Sequence, residues 1–281
     1  MLYLLLVSLV WAFSFGLVKG QLAGLDAKLV AVLRLALSLL VFLPFARWRA
    51  VPRAARWRFI AIGAVQFGAM YLLYLRAYAY LAAYEVALFT IFTPFYVVLL
   101  DAALERRWQT RFLLAAGVAA SGAALVIYMT PHSPHLLTGF LLVQGSDFCF
   151  ALGQLAWRRE RARFANGLSD AQLFALPYAG AVALALAVSG FTTDWRQLTT
   201  ITPTQFATIA YLGIVASGLC FFWWNVGARR VNAGILAVLN NAKMPLGVAC
   251  SLLVFGEQAD PVLLLLSLAL LGAAIVIAGR K

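Results

Sequence analysis

The sequence predicts an all-α integral membrane protein of ten transmembrane helices, arranged as two inverted five-helix repeats. Three observations carry this. Of the 281 residues, 64% are hydrophobic and only 11% charged, whereas a soluble domain is about half apolar and about a quarter charged. The apolar residues form continuous runs rather than the short alternating segments of a membrane barrel. A set of landmarks also recurs in the two halves of the chain, about 150 residues apart.

A bilayer core about 30 Å thick takes about 20 apolar residues per helical crossing. Such runs must be helical, because an open sheet edge has no partner for its backbone groups in lipid. Span 1 covers 2–18; it starts without a basic segment, so it reads as a crossing rather than a signal peptide. Gly16, Gly20 and Gly24 have the small-residue spacing that lets helices approach closely. Span 2 covers 27–46 and runs into an arginine cluster. Spans 3 (58–80) and 4 (84–103) are joined by a short turn, and Pro94 interrupts the second of them. Span 5, 111–128, carries Ala116, Ala120 and Ala124 at the same small-residue spacing. Spans 6 (136–157) and 7 (170–191) flank another arginine cluster, and span 8 covers 203–226. Pro245 interrupts span 9 (232–255), and span 10 (260–279) completes the set. Cys149, Cys220 and Cys250 all fall inside apolar spans, where they read as small core hydrophobes rather than a disulfide framework.

The net charge of +12 reflects topology rather than nucleic-acid binding, because the basic residues are clustered between spans. Arg47, Arg49, Arg53, Arg56 and Arg58 follow span 2, and Arg106, Arg107 and Arg111 follow span 4. Arg158, Arg159, Arg161 and Arg163 follow span 6, Arg229 and Arg230 follow span 8, and Arg280 and Lys281 end the chain. Sixteen of the 22 basic residues thus fall on one side, against Lys19, Lys28 and Arg196 in the connections of the other. The positive-inside rule puts both termini in the cytoplasm, which in a bacterium means a multi-pass protein of the inner membrane.

The repeat is visible in two segments. Leu104-Glu105 precedes a span (111–126) containing Gly122-Ala123-Ala124, and Gly256-Glu257 precedes a span (261–276) containing Gly272-Ala273-Ala274. Upstream of each Glu a proline breaks the preceding span, at Pro94 and Pro245. The halves are therefore 1–130 and 131–281. Five spans is an odd number, so the second half inserts upside down relative to the first. Inverted halves meeting at a midplane site allow inward and outward access to be exchanged, which is a transporter design.

Trp11-Ala12-Phe13-Ser14-Phe15 in span 1, Arg34-Leu35-Ala36 in span 2, Thr93-Pro94 and Leu104-Glu105-Arg106 together resemble the EamA family of the drug/metabolite transporter superfamily. The resemblance runs over nearly the whole chain. It implies ten helices in two inverted repeats around a central cavity, and export of small metabolites, amino acids among them.

Ionisable groups at membrane depth are costly and usually face a cavity or a partner. Asp147 in span 6 and Lys243 in span 9 stand nearest mid-span, and both depart from the family pattern, where those places are usually uncharged. Gln144, Asp147, Ala151 and Gln154 recur at helical spacing, as do Asn240, Lys243 and Gly247, with Asn241 beside them. This reads either as a substrate site, Lys243 meeting a carboxylate and Asp147 an amine or a proton, or as a buried ion pair locking spans 6 and 9. Trp11, Ser14, Tyr78, Thr90 and Thr93 from the first half are the candidates for the opposing wall. Thr90 and Thr93 could equally bond back to their own helix. Tyr71, Tyr74 and Tyr78 share a face of span 3, and Ser217, Cys220 and Trp224 a face of span 8, giving aromatic walls for an amphipathic ligand. Arg34, Arg76 and Glu85 fall toward the outer third of spans 2 to 4, as an outer gate or as arginines snorkelling to the interface.

The expected function is therefore export of a small amphipathic metabolite, most plausibly an apolar or aromatic amino acid, by alternating access. An intramembrane enzyme is disfavoured: Ser121 and Ser217, in Ala-Ser-Gly segments like a protease nucleophile motif, need a base, and the only histidines, His132 and His135, sit together in a Pro-containing loop. A channel or lipid scramblase would want a continuous polar lining, whereas polarity here gathers near mid-span. No metal motif, P-loop or dinucleotide fingerprint is present, so no cofactor is expected and ATP is not the direct energy source. The expected partners are the small-molecule substrate and membrane lipid.

Overall fold

The computed structural model describes residues 2–105, 114, 117, 118, 121, 135–164, 167–230, 246–258 and 260–279, and these contain no strand. The helices are α1 (Leu2–Gln21), α2 (Ala27–Phe42), α3 (Arg53–Ala77), α4 (Ala83–Leu104), α5 (Leu136–Arg163), α6 (Asp170–Ser189), α7 (Pro203–Ala228), α8 (246–253) and α9 (Pro261–Gly279). Helices α2 to α7 are each long and apolar enough to cross a membrane, α2 together with the tight turn that carries it to Phe45. They coincide with spans 2, 3, 4, 6, 7 and 8. Span 5 and most of span 9 lie outside the described residues, although positions 114, 117, 118 and 121 are helical.

Helix starts follow local chemistry. The Asp26 carboxylate accepts from the Lys28 amide at 2.8 Å and caps α2. Reciprocal Ser169–Gln172 and Thr202–Gln205 capping boxes open α6 and α7, each satisfying amides that have no partner within the helix. Two helices outrun the hydropathy reading: α3 begins at Arg53 rather than 58, and α5 continues to Arg163 rather than 157. A charge ends an apolar run but not a backbone ladder. Here the α5 extension is tied to α3, Arg58 Nε donating to the buried Glu160 carboxylate at 2.8 Å.

Two helices share a second irregularity. Ala64–Ala69 in α3 and Leu212–Leu219 in α7 are wound as wider π turns, a feature that recurs at functional sites. Each stretch is bracketed by glycines, Gly63 and Gly68 in α3, and Gly213 and Gly218 in α7, every one 150 residues from its counterpart. The glycines let backbones touch. A Cβ on Gly63 would overlap the Pro177 carbonyl of α6, and one on Gly180 of α6 would overlap the Ile60 carbonyl of α3. One on Gly213 would lie 2.8 Å from Leu37 Cβ and 3.2 Å from the Arg34 carbonyl of α2. So α3 crosses α6 as α7 crosses α2. The loosened carbonyls of the α7 stretch are taken by side chains from three other helices. Ser38 donates to the Gly213 carbonyl at 2.8 Å, Trp11 Nε1 to that of Ala216 at 2.9 Å, and Tyr178 to that of Ser217. A polar backbone group freed inside a membrane needs such a partner.

Candidate functional site

Helices α1 to α5 and α7 line a small, partly open cavity of about 70 Å³, so a ligand larger than a few water molecules needs the helices to part, as they must in alternating access. Its wall is mostly first-half residues: Trp11, Ser14 and Phe15 of α1, Arg34 of α2, Met70, Tyr71 and Tyr74 of α3, and Thr90 and Thr93 of α4. The second half adds Ser146, Asp147 and Phe150 of α5 and Phe221 of α7.

The polar groups divide by chemistry. Ser14 donates its hydroxyl hydrogen to the Val10 carbonyl at 2.7 Å, Thr90 to that of Ala87 and Thr93 to that of Thr90, each at 2.8 Å. With their single donors used inside their own helices, these hydroxyls offer lone pairs to a ligand. The buried Asp147 carboxylate adds acceptor oxygens from α5. The α1–α4–α5 wall is therefore suited to N–H donors. The α2–α3–α7 wall has the opposite character. Arg34, only 2% exposed, donates from Nη2 to Tyr71 Oη at 3.0 Å and to Ser217 Oγ at 3.1 Å. Its guanidinium lies 4.6 Å from the centre of the Tyr71 ring. Between the two walls the lining is aromatic.

Five predicted site residues, Trp11, Ser14, Thr90, Thr93 and Asp147, thus meet around one cavity. Four others stand off its wall. Tyr78 sits behind Tyr74, their hydroxyls 2.6 Å apart, and lines a separate outer cleft beside Lys19. Gln144 is buried between Tyr96 Oη at 3.2 Å and the Phe89 carbonyl at 3.3 Å. Gln154 accepts from Trp224 Nε1 at 3.4 Å, and Trp224 packs against Trp11 with ring centres 5.1 Å apart. None of these four lines the cavity. Asn240, Asn241 and Lys243 lie outside the described residues. Both readings offered for Thr90 and Thr93 hold together: they bond back to their helix and face the cavity.

Arg34 is the correction. The sequence places it in an outer gate with Arg76 and Glu85, or at the interface, whereas it stands in the middle of α2 and on the cavity wall. Arg76 instead meets Tyr80 at the surface, and Glu85 accepts from the Ala82 amide at 2.8 Å. In span 2 (27–46) Arg34 lies seven residues from one end and twelve from the other, so position along the span did not by itself reveal that it faces the cavity.

On the side that the charge pattern predicts to be external, helix termini are held by charged side chains. Lys19 Nζ donates to the Tyr78 and Leu81 carbonyls, both at 2.9 Å, where α3 ends. The Glu257 carboxylate accepts from the Ala83 and Tyr84 amides, at 2.8 and 3.0 Å, where α4 begins. Each charge has the sign that the helix terminus attracts. The Phe255 ring fills the space left by Gly16, so the small-residue spacing of span 1 serves close packing. Glu257→Ala strands two helix-start amides and is expected to destabilise the protein by about 1–2 kcal/mol, read by thermal unfolding in detergent; Glu257→Gln should lose less.

The comparisons agree with this architecture. The EamA-like transporter family model matches residues 1–129 and 137–279. A protein of Pseudomonas aeruginosa named "Probable biotin transporter" is 39% identical over 277 residues, covering 98% of this chain and 95% of its own. The "Biotin transporter" of Escherichia coli strain K12 is 35% identical over 260 residues, 92% of this chain and 86% of its own, and that of Salmonella typhimurium is equally similar. A solved structure 18% identical covers 98% of this chain and 94% of its own at a TM-score of 0.70, a likeness of fold. Matched along nearly its whole length, and with six described helices fit to cross a membrane, the chain belongs to the EamA-like transporter family, multi-pass membrane carriers of small molecules rather than enzymes.

Proposed function

We propose that the chain carries biotin, or a close monocarboxylate analogue, across the bacterial inner membrane by alternating access. The observation that carries this is the acceptor wall. Ser14, Thr90, Thr93 and Asp147 offer lone pairs inside an aromatic cavity. Biotin presents the complement: a cyclic urea with two N–H donors on an apolar thioether ring, and a carboxylate at the end of an alkyl chain. The names of the relatives point the same way.

A second reading keeps the sequence expectation of an amino acid, and Asp147 favours it, because a carboxylate suits an ammonium better than a neutral urea. Uptake of radiolabelled biotin into proteoliposomes holding the purified protein decides between them. The expected result is saturable flux, competed by unlabelled biotin and untouched by excess phenylalanine or leucine. Movement of the amino acids without biotin reverses the order of the two readings. Without an ATP fingerprint, the flux should follow the solute or proton gradient.

The frame proposed for this cycle is ten crossings in two inverted halves, 1–130 and 131–281, with both termini cytoplasmic. Support comes from the two matched segments, from the arginine clusters, and from π stretches 150 residues apart that make reciprocal crossings, α3 on α6 and α7 on α2.

A further inference from the structure

We propose that Arg34 binds the substrate carboxylate, with Tyr71 and Ser217 holding its guanidinium for that task; this rests on the cavity being the transport site. Arg34 stands in the middle of α2, about 10 Å or more along the helix from either end at 1.5 Å per residue. It is 2% exposed, so it does not snorkel. No acidic side chain among the described residues forms an ion pair with it. The Asp147 carboxylate stands across the cavity rather than in contact. An arginine buried at membrane depth with no ion pair among the described residues is a costly arrangement that persists where function needs it.

The donors are arranged for an anion. Nε and Nη2 are held by Ser217 Oγ, at 3.3 and 3.1 Å, and Nη2 also by Tyr71 Oη at 3.0 Å. The Tyr71 ring under the guanidinium fixes its plane. Nη1, by contrast, is buried with no hydrogen-bond partner among the described residues, leaving two N–H groups unused. Tyr71 Oη and Ser217 Oγ lie 2.8 Å apart and both accept from Arg34, so one hydroxyl hydrogen passes between them and the other is left over. Two N–H groups and one O–H group beside a formal positive charge match a carboxylate, whose oxygens only accept. With the acceptor wall supplied by α1, α4 and α5, the cavity then selects a ligand carrying an anion at one pole and N–H donors at the other.

The test is binding of biotin and of its neutral primary amide to the full chain, by calorimetry in detergent, in wild type and in Arg34→Gln. Wild type should bind the acid at least ~10-fold more tightly than the amide. Arg34→Gln should weaken acid binding by about 30-fold or more and change amide binding by less than about two-fold. Arg34→Lys should keep part of the preference, as a point charge without the fork. If Arg34→Gln retains the preference, or loses both ligands equally, the inference is overturned. Should Arg34→Gln fail to fold, Tyr71→Phe decides. It keeps the ring and removes the hydroxyl, and an unreduced acid preference there refutes the arrangement. If wild type binds neither biotin compound, it is the proposed substrate that fails. The comparison is then made with lipoate and lipoamide, and with phenylalanine and phenylalaninamide. A preference for either acid that Arg34→Gln removes upholds the carboxylate site, and no such preference overturns it.

Discussion

Asp147→Asn is expected to lower the initial rate of substrate transport by about 30-fold or more while leaving the protein folded. The carboxylate lies on the cavity wall among hydroxyls that can only accept, and it is the one charged acceptor described there. Asn keeps the volume and one acceptor oxygen, but turns the other position into a donor facing the ligand's own donors. The competing account is an ion pair with Lys243 that merely ties two helices together. On that account either single neutral variant leaves a buried charge unpaired and destabilises by about 3–5 kcal/mol. The double variant Asp147→Asn/Lys243→Met would then regain stability and transport together. Rates in proteoliposomes and unfolding curves for the three variants separate the two. Transport restored in the double variant would remove Asp147 from the binding site and leave the fold as described.

Gly63→Val should destabilise the protein by about 3 kcal/mol, the upper end of what overpacking typically does. At Gly63 a Cβ meets the Pro177 carbonyl group, backbone that cannot rotate away as a side chain can. The α3–α6 crossing has to open for the substitution to fit. Gly180→Val attacks the same contact from α6, through the Ile60 carbonyl. The two together should therefore do less harm than the sum of their separate effects. Gly272→Ala, where an added Cβ meets nothing within 4 Å among the described residues, should change stability by no more than about 0.5 kcal/mol. Thermal unfolding in detergent reads all four. A Gly63→Val protein as stable as wild type would refute the backbone contact.

Most of the helical frame was legible because lipid imposes one rule on every crossing. A run of about 20 apolar residues can satisfy its backbone only as a helix. The spans around Leu29, Leu75, Val86 and Phe150 follow from that rule. It failed by a turn or two at Arg53 and at Arg163, where the helices continue past the apolar run and Glu160, beyond the end of span 6, is held by Arg58 at the start of span 3. The cavity was legible in part. Trp11, Ser14, Thr90, Thr93 and Asp147 stand out as polar or aromatic at mid-span, and three helices, α1, α4 and α5, bring them together. Gln144 and Gln154 share a face with Asp147 at helical spacing, yet each is taken by a neighbour: Gln144 by Tyr96 and Phe89, Gln154 by Trp224. Spacing fixes a face of one helix, and it does not say which other helix covers that face.

Residue chemistry and periodicity alone determined a membrane-embedded helical chain, its charge asymmetry, its internal repetition and the family it resembles. These depend on properties that each segment carries by itself, such as apolar length, cluster sign and landmark spacing. The roles of Arg34 and of the paired glycines belonged to the tertiary structure. Arg34 faces the cavity because α3 and α7 bring Tyr71 and Ser217 to its guanidinium from 37 and 183 residues away. Gly63 and Gly180 are needed because two backbones touch at their crossing. In lipid an apolar surface gains little from choosing one neighbour over another. The partners of a helix are therefore set by close fit and by scarce polar contacts, and those exist only once the helices are assembled.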